Sequence, residues 1–221
     1  MHKKAQETFD LLLKRYPKLE SSKADILAAF NVLTEAYKNG KKLMVCGNGG
    51  SCADSEHITG ELMKGFKLKR TPDADMRKKL TEGCKEHGAY FADHLQGALK
   101  TIALTSSSVM YTAFCNDVDP DLAFAQQLYG YAEAGDVVLG ISTSGGATNV
   151  NLALELAGAL GVKRIGLVKR GVKDEMARHC DILIAVDADE TYSVQELHLP
   201  VYHCLCAMLE EEFFGIKSGC Q

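Results

Sequence analysis

Twice in this chain an unbroken apolar run stops at a cluster of small residues and gives way at once to a helix-forming stretch. The first instance is Leu43-Met-Val-Cys-Gly47, then Asn48-Gly49-Gly50-Ser51, then a segment that reaches Glu61. The second is Asp136-Val-Val-Leu-Gly-Ile141, then Ser142-Thr143-Ser144-Gly145-Gly146, then a helix over Asn149–Leu160. Apolar runs without polar alternation belong to strands covered on both faces, which is the habit of parallel sheets. Further strands read at 101–105, 164–168 and 182–186, each separated from the next by helical stretches. Parallel strands require such crossovers, and the crossovers are right-handed, so the sequence predicts an α/β fold with a parallel sheet of five strands flanked by helices. In that architecture ligands bind at the carboxyl ends of the strands, the edge from which both small-residue loops leave.

Each loop feeds a helix N-terminus, where unpaired backbone N–H groups and the helix dipole favour an anion. The first loop is not a dinucleotide fingerprint, because Cys52 stands where a third glycine belongs. Nor is it a nucleotide P-loop, because no Lys-Ser/Thr pair follows its last glycine. The second adds three hydroxyls, which donate to phosphate oxygens. Taken singly, either loop is equally a plain βα turn or a helix cap. Two of them on one sheet edge favour a phosphorylated small molecule.

The first helix carries His57 and Glu61 four residues apart, on one face. The last helix, near 193–214, carries Gln195-Glu196-Leu-His198-Leu-Pro200 and then His203. On an ideal helix His203 lies about 20° round from Glu196 and about 80° from Gln195, so spacing alone pairs it with Glu196. Pro200 costs an internal hydrogen bond and bends the helix unless it falls near its first turn.

Ahead of the first strand, Phe9, Leu12, Leu13 and Tyr16 form one helical stripe, ended by Pro17. Ile26, Leu27, Phe30, Leu33 and Tyr37 form another, capped by Ser21 or Ser22 and closed by Asn39-Gly40. With no strand before them, these two helices pack on the domain's side or join an oligomer bundle, and the bundle is the favoured expectation. Residues 67–95 are charged and read as a solvated surface insertion, with a lid over the site as the functional alternative. At 221 residues the chain is expected to be one domain over 1–221, with an N-terminal helical segment over 1–40. A net charge of −4 gives no basic footprint for nucleic acid or an anionic membrane. Eight scattered cysteines without a C-x-x-C pair, a polar N-terminus and no apolar run of membrane-spanning length lead us to expect a cytoplasmic protein.

Together, Gly47-Asn-Gly-Gly-Ser51, His57-x-x-x-Glu61, Asn116-Asp117, Ile141-Ser-Thr-Ser-Gly145 with Asn149-Val150, and Gln195-Glu-x-His198 leading to His203 resemble the SIS-domain sugar isomerases. Within them the chain is similar to the sedoheptulose-7-phosphate (phosphoheptose) isomerases, over nearly its whole length. The resemblance implies a flavodoxin-like sheet, a homotetramer with active sites between subunits, and conversion of sedoheptulose 7-phosphate to glycero-manno-heptose 7-phosphate through an enediol. It implies Glu61 as catalytic base and His203 as catalytic acid. Ser51, Ser142, Thr143 and Ser144 match phosphate ligands, with Asn48, Gly49, Gly50, Thr148 and Gln195 as further substrate contacts and Asp117 as a substrate-contacting aspartate. Some members bind zinc through positions matching His57, Glu61, Gln195 and His203, which sets Gln195 ahead of Glu196. Three departures bear on the sugar: Ala147 replaces the serine usual after the second loop's glycine, Ser193 an arginine, and Tyr192 an aspartate. The insertion at 67–95 is also longer than the family leads one to expect. The alternative reading is a non-catalytic SIS protein, either a phosphosugar sensor or an adaptor for a replication initiator.

Overall fold

The computed structural model describes residues 1–171 and 175–215. Five strands form one all-parallel sheet: β1 (Leu43–Gly47), β2 (Thr101–Ala103), β3 (Val137–Ile141), β4 (Lys163–Lys169) and β5 (Ile182–Val186), in the order β2-β1-β3-β4-β5. This is the flavodoxin-like order, and its direction of winding reverses between β1 and β3. Those two strands pair in register from Leu43↔Val137 to Gly47↔Ile141, so the two small-residue loops leave the sheet side by side.

Side chains along the strands alternate between two apolar layers. On one face Leu43, Val45, Val137, Leu139, Ile165 and Ile184 pack beneath α1 (Lys3–Arg15), α2 (Lys23–Lys38), α3 (Gly50–Met63) and α9 (Thr191–Phe214). On the other, Met44, Cys46, Val138 and Val168 pack beneath α7 (Ala123–Tyr131) and α8 (Thr148–Ala159). The two N-terminal helices pack on the domain's side. Phe9, Leu12, Ile26, Phe30 and Leu33 are buried in this chain's own core, so the apolar stripes of α1 and α2 are already used in covering the sheet and α9. Pro17 opens a 3-10 turn, Pro17–Ser22. Ser22 precedes α2 but its hydroxyl does not cap it, donating instead to the Ala185 carbonyl of β5.

Residues 67–95 hold two short surface helices, α4 (Ala74–Gly83), none of whose residues is buried, and α5 (Gly88–His94). The helix α6 (Ser108–Asp117) follows β2. Between β4 and β5 the described residues contain only the 3-10 turn Ala177–His179 in place of the expected helical connection. Pro200 lies well inside α9, which continues through it. Among the described residues seven cysteines are free, and no helix is long and apolar enough to cross a membrane.

Candidate active site

The first loop is shaped by glycine. Gly49 has φ +57 and ψ −119, a conformation that residues with a Cβ rarely adopt, and it delivers the chain into α3 at Gly50. Gly47 lies so close to Ser51 and to the Ile141 carbonyl that no Cβ fits, which presses the first turn of α3 against the ends of β1 and β3. No side chain caps α3 or α8, so both N-termini remain open to an anion. The loops are joined by Asn48 and Asn149, whose amides exchange two hydrogen bonds of 2.8 and 3.1 Å. In the second loop, the Ser142 and Ser144 hydroxyls accept from Gly145 N and Gly146 N. Thr143 and Ser144 line a small cavity of about 30 Å³ with Lys169, Asp189, Thr191 and Val194. Lys169 is a cation beside the hydroxyl loop that the sequence reading missed. Its position at the carboxyl end of β4 is the signal that would have found it. Thr148 opens α8 as an exposed residue.

Gln195 of α9 packs on the first loop: a Cβ on Gly50 would collide with its amide. Glu196 is exposed, so the ideal-helix pairing of Glu196 with His203 gives way to a role for Gln195 at the loop. Eight residues farther along α9, His203 meets the side chains of α3. The His57 and His203 rings stand edge to face with centroids 4.9 Å apart, and His57 Nε2 is 3.2 Å from Glu61 Oε1. His57 is thus the common neighbour of the proposed base and acid. Glu61 Oε2 and His203 Nε2 are both buried without a hydrogen-bond partner, although the Lys64 ammonium lies 3.7 Å from Glu61 Oε2. Burial holds the His203 imidazole below its ordinary pKa; His57 adds to this and the Glu61 carboxylate offsets part of it.

One buried ion pair supports this corner. Arg70 and Glu210 are fully buried and joined at 2.8 Å, and Arg70 also donates to the Leu62 and Glu61 carbonyls at the end of α3. Glu210 accepts from Phe66, Lys67 and Leu68 N–H, fixing the chain so that Phe66 lies against His203 with ring centroids 5.5 Å apart. At the sheet's opposite edge, Asp136 accepts from Lys42 and from the Glu133 N–H, away from the site.

A groove of about 290 Å³ runs from His203 past Phe66 and Lys67 to Leu11, Leu12 and Arg15 of α1. A second cavity, about 270 Å³, borders the first loop between Gly47, Asn48, Gly49, Cys52, Thr105 and Tyr111. Asp117 does not line either one; it ends α6 and accepts from the neighbouring Asn116 amide.

The chemistry of these donors suits zinc. Two buried orphan acceptors, Glu61 Oε2 and His203 Nε2, beside a second imidazole make a donor set of the right chemistry. Among the described residues, however, no three His, Cys, Asp or Glu groups already enclose a cation, so closing them round one takes side-chain movement.

Sequence models of the SIS domain match residues 9–88 and 96–208. The chain is 36% identical over 197 residues to a phosphoheptose isomerase of Akkermansia muciniphila, covering 89% of this chain and 90% of that one. It is 38% identical over 190 residues to one of Geotalea daltonii, covering 86% and 85%. Among solved structures, a phosphoheptose isomerase from Francisella tularensis superposes with a TM-score of 0.73 at 26% identity, covering 94% of this chain and 97% of that one. With its sheet order, its paired loops and its extent of similarity all in agreement, the chain belongs to the phosphoheptose isomerase family of SIS-domain proteins.

Proposed function

We propose that this protein is an aldose-ketose isomerase acting on sedoheptulose 7-phosphate and yielding glycero-manno-heptose 7-phosphate. The observation that carries the reading is the meeting of Glu61, His57 and His203, with Glu61 Oε2 and His203 Nε2 buried and unpartnered. A free carboxylate lone pair and an open imidazole nitrogen are what proton transfer at a carbon beside a carbonyl requires.

The phosphate is held by the open N-termini of α3 and α8, by the Ser51, Ser142, Thr143 and Ser144 hydroxyls, and by Lys169. Gln195 orients the chain of the sugar at the first loop. Glu61 takes the proton from C1 of the ketose while His203 protonates the C2 carbonyl oxygen, giving the enediol. Glu61 then returns a proton to C2, and the C1 hydroxyl loses its proton as the aldehyde forms. Burial and His57 lower the pKa of His203, so its protonated ring gives its proton readily to the C2 oxygen and regains one from the C1 hydroxyl as the aldehyde forms.

When bound, zinc would polarise the carbonyl, held by His57, Glu61 and His203 with Gln195 as a further donor. The working assembly is a homotetramer in the cytoplasm. The exposed Leu11 and Leu199, both beside the groove that contains His203, suit a second copy completing the site. The test is incubation with sedoheptulose 7-phosphate and detection of the aldose: the proposal expects turnover, and a folded protein without turnover on this substrate refutes it. Binding of a phosphosugar without conversion would instead favour the sensor reading.

A further inference from the structure

Asn151 is a polar residue in an apolar place. It lies in the first turn of α8, whose Val150, Ala153 and Leu154 are fully buried, and is itself only 9% exposed. Its amide nitrogen donates to the Gly145 carbonyl at 3.0 Å, while its Oδ1 is buried without a hydrogen-bond partner. A carbonyl only accepts, so the amide cannot be turned the other way round. Leaving an amide oxygen unpaired in the interior is unfavourable, and a leucine at this position would avoid it. What the asparagine supplies instead is a donor for the Gly145 carbonyl.

That carbonyl belongs to the peptide in the second loop least able to hold itself. Gly145 has φ +71 and is followed by Gly146, so the peptide between them is flanked on both sides by residues without a Cβ, and little steric resistance opposes turning it over. In a trans peptide the C=O and N–H point in opposite directions. With the Gly145 carbonyl tied to Asn151, the Gly146 N–H faces the other side, where it donates to the Ser144 hydroxyl oxygen at 3.2 Å. Ser144 uses a lone pair in this bond and keeps its own proton for another acceptor. It does so at the edge of the small cavity that it lines with Thr143 and Lys169.

We propose that Asn151 is a positioning residue for the phosphate of the substrate: by anchoring the Gly145–Gly146 peptide it orients Ser144 as a donor to a phosphate oxygen. With the peptide turned over, a carbonyl oxygen would face the anion in place of the N–H. The inference rests on the reading of the second loop as a phosphate grip, but the anchoring of the peptide is a property of the ligand-free protein. The same geometry supplies a control. Turning the peptide over carries Gly146 from negative to positive φ, which a residue with a Cβ resists. In the present conformation a Cβ on Gly146 meets only Ser144 Oγ at 3.7 Å and Glu175 Oε2 at 3.8 Å, so alanine fits and holds the peptide without Asn151.

The experiment follows the Gly145 amide signal in nitrogen–proton correlation spectra while inorganic phosphate is added. Asn151→Leu removes the donor and keeps the bulk; it should weaken the phosphate binding read at this signal by about three- to tenfold, the worth of one hydrogen bond. Adding Gly146→Ala should recover most of that loss. Without phosphate, hydrogen exchange at the Gly145 N–H, which is bonded to Ser142, should quicken by a similar factor in Asn151→Leu and return towards wild type with Gly146→Ala. Asn151→Ala serves as the donor-free variant if leucine does not fit. Affinity and exchange within twofold of wild type in the donor-free variant overturn the proposal, as does a loss that Gly146→Ala leaves unrecovered, which would mean that Asn151 only fills space. A wild-type signal that ignores phosphate refutes the phosphate reading of the loop, whereas unchanged exchange refutes the anchor.

Discussion

Replacing Arg70 by methionine keeps most of the side chain's length and removes only its charge and donors. Four interactions go at once: the ion pair with Glu210, the bonds to the Leu62 and Glu61 carbonyls, and the stacking of the guanidinium over Phe214 at 4.8 Å. Glu210 stays behind as a buried carboxylate, still bound to three backbone N–H groups but without its counter-charge. Breaking one side of such a pair costs about 3–5 kcal/mol, and for a chain of this size each kcal/mol lowers the melting point by about 2–4 °C, so Tm should fall by about 6–20 °C. Thermal unfolding at fixed protomer concentration measures this. The fraction that remains folded should lose kcat far more than it changes KM, because the lost bond to the Glu61 carbonyl releases the turn that aims the base. An isolated buried ion pair is often replaced by apolar residues without loss. Here the double variant Arg70→Met with Glu210→Leu should not recover, because the Phe66, Lys67 and Leu68 N–H groups keep no acceptor, at about 1–3 kcal/mol for each that stays buried. An Arg70→Met protein melting within about 2 °C of wild type, a shift of under about 1 kcal/mol, would refute the idea that this pair holds the corner together.

Other perturbations address separate parts of the site. His203→Gln should lower kcat by about 10²–10⁴-fold with KM within a few-fold, as expected for loss of a general acid; steady-state kinetics check this. Gly50→Ala forces a Cβ into the Gln195 amide, so KM for the sugar phosphate should rise while inorganic phosphate binding, read by calorimetry, falls. His198 is fully buried and neither ring nitrogen makes a hydrogen bond of normal geometry; burial pulls it from 6.5 to about 4, with the Val168 carbonyl offsetting only part. Because its folded pKa is depressed, the unfolded chain takes the proton first. Its contribution is therefore complete above pH 6.5 and is lost as pH falls towards 4, by about 3 kcal/mol. Comparing urea midpoints of wild type and His198→Leu across that window should show a flatter profile in the variant.

Much of this arrangement is written locally. The two apolar runs ending in Gly47 and Ile141 announce buried parallel strands, and the small residues after them announce loops at one sheet edge. Glu61 and His57 are four apart on one helix, so their neighbourhood follows from helix geometry alone. The misses share a cause in long-range contact. Arg70 reads as one more charge in a charged stretch, and only Glu210, 140 residues away, makes it a buried residue. Ideal angles favoured Glu196 over Gln195, but the glycine surface at Gly50 receives the Gln195 amide, and a cylinder diagram holds no such information.

The central claim is that Glu61 moves a proton between neighbouring carbons of a sugar phosphate. Conversion of sedoheptulose 7-phosphate in deuterated water tests it most directly, with the position of the label in the aldose read by NMR. Solvent deuterium at C2 of the product from the wild type, and no product from Glu61→Gln, is the predicted result. Undiminished turnover by Glu61→Gln would contradict the account.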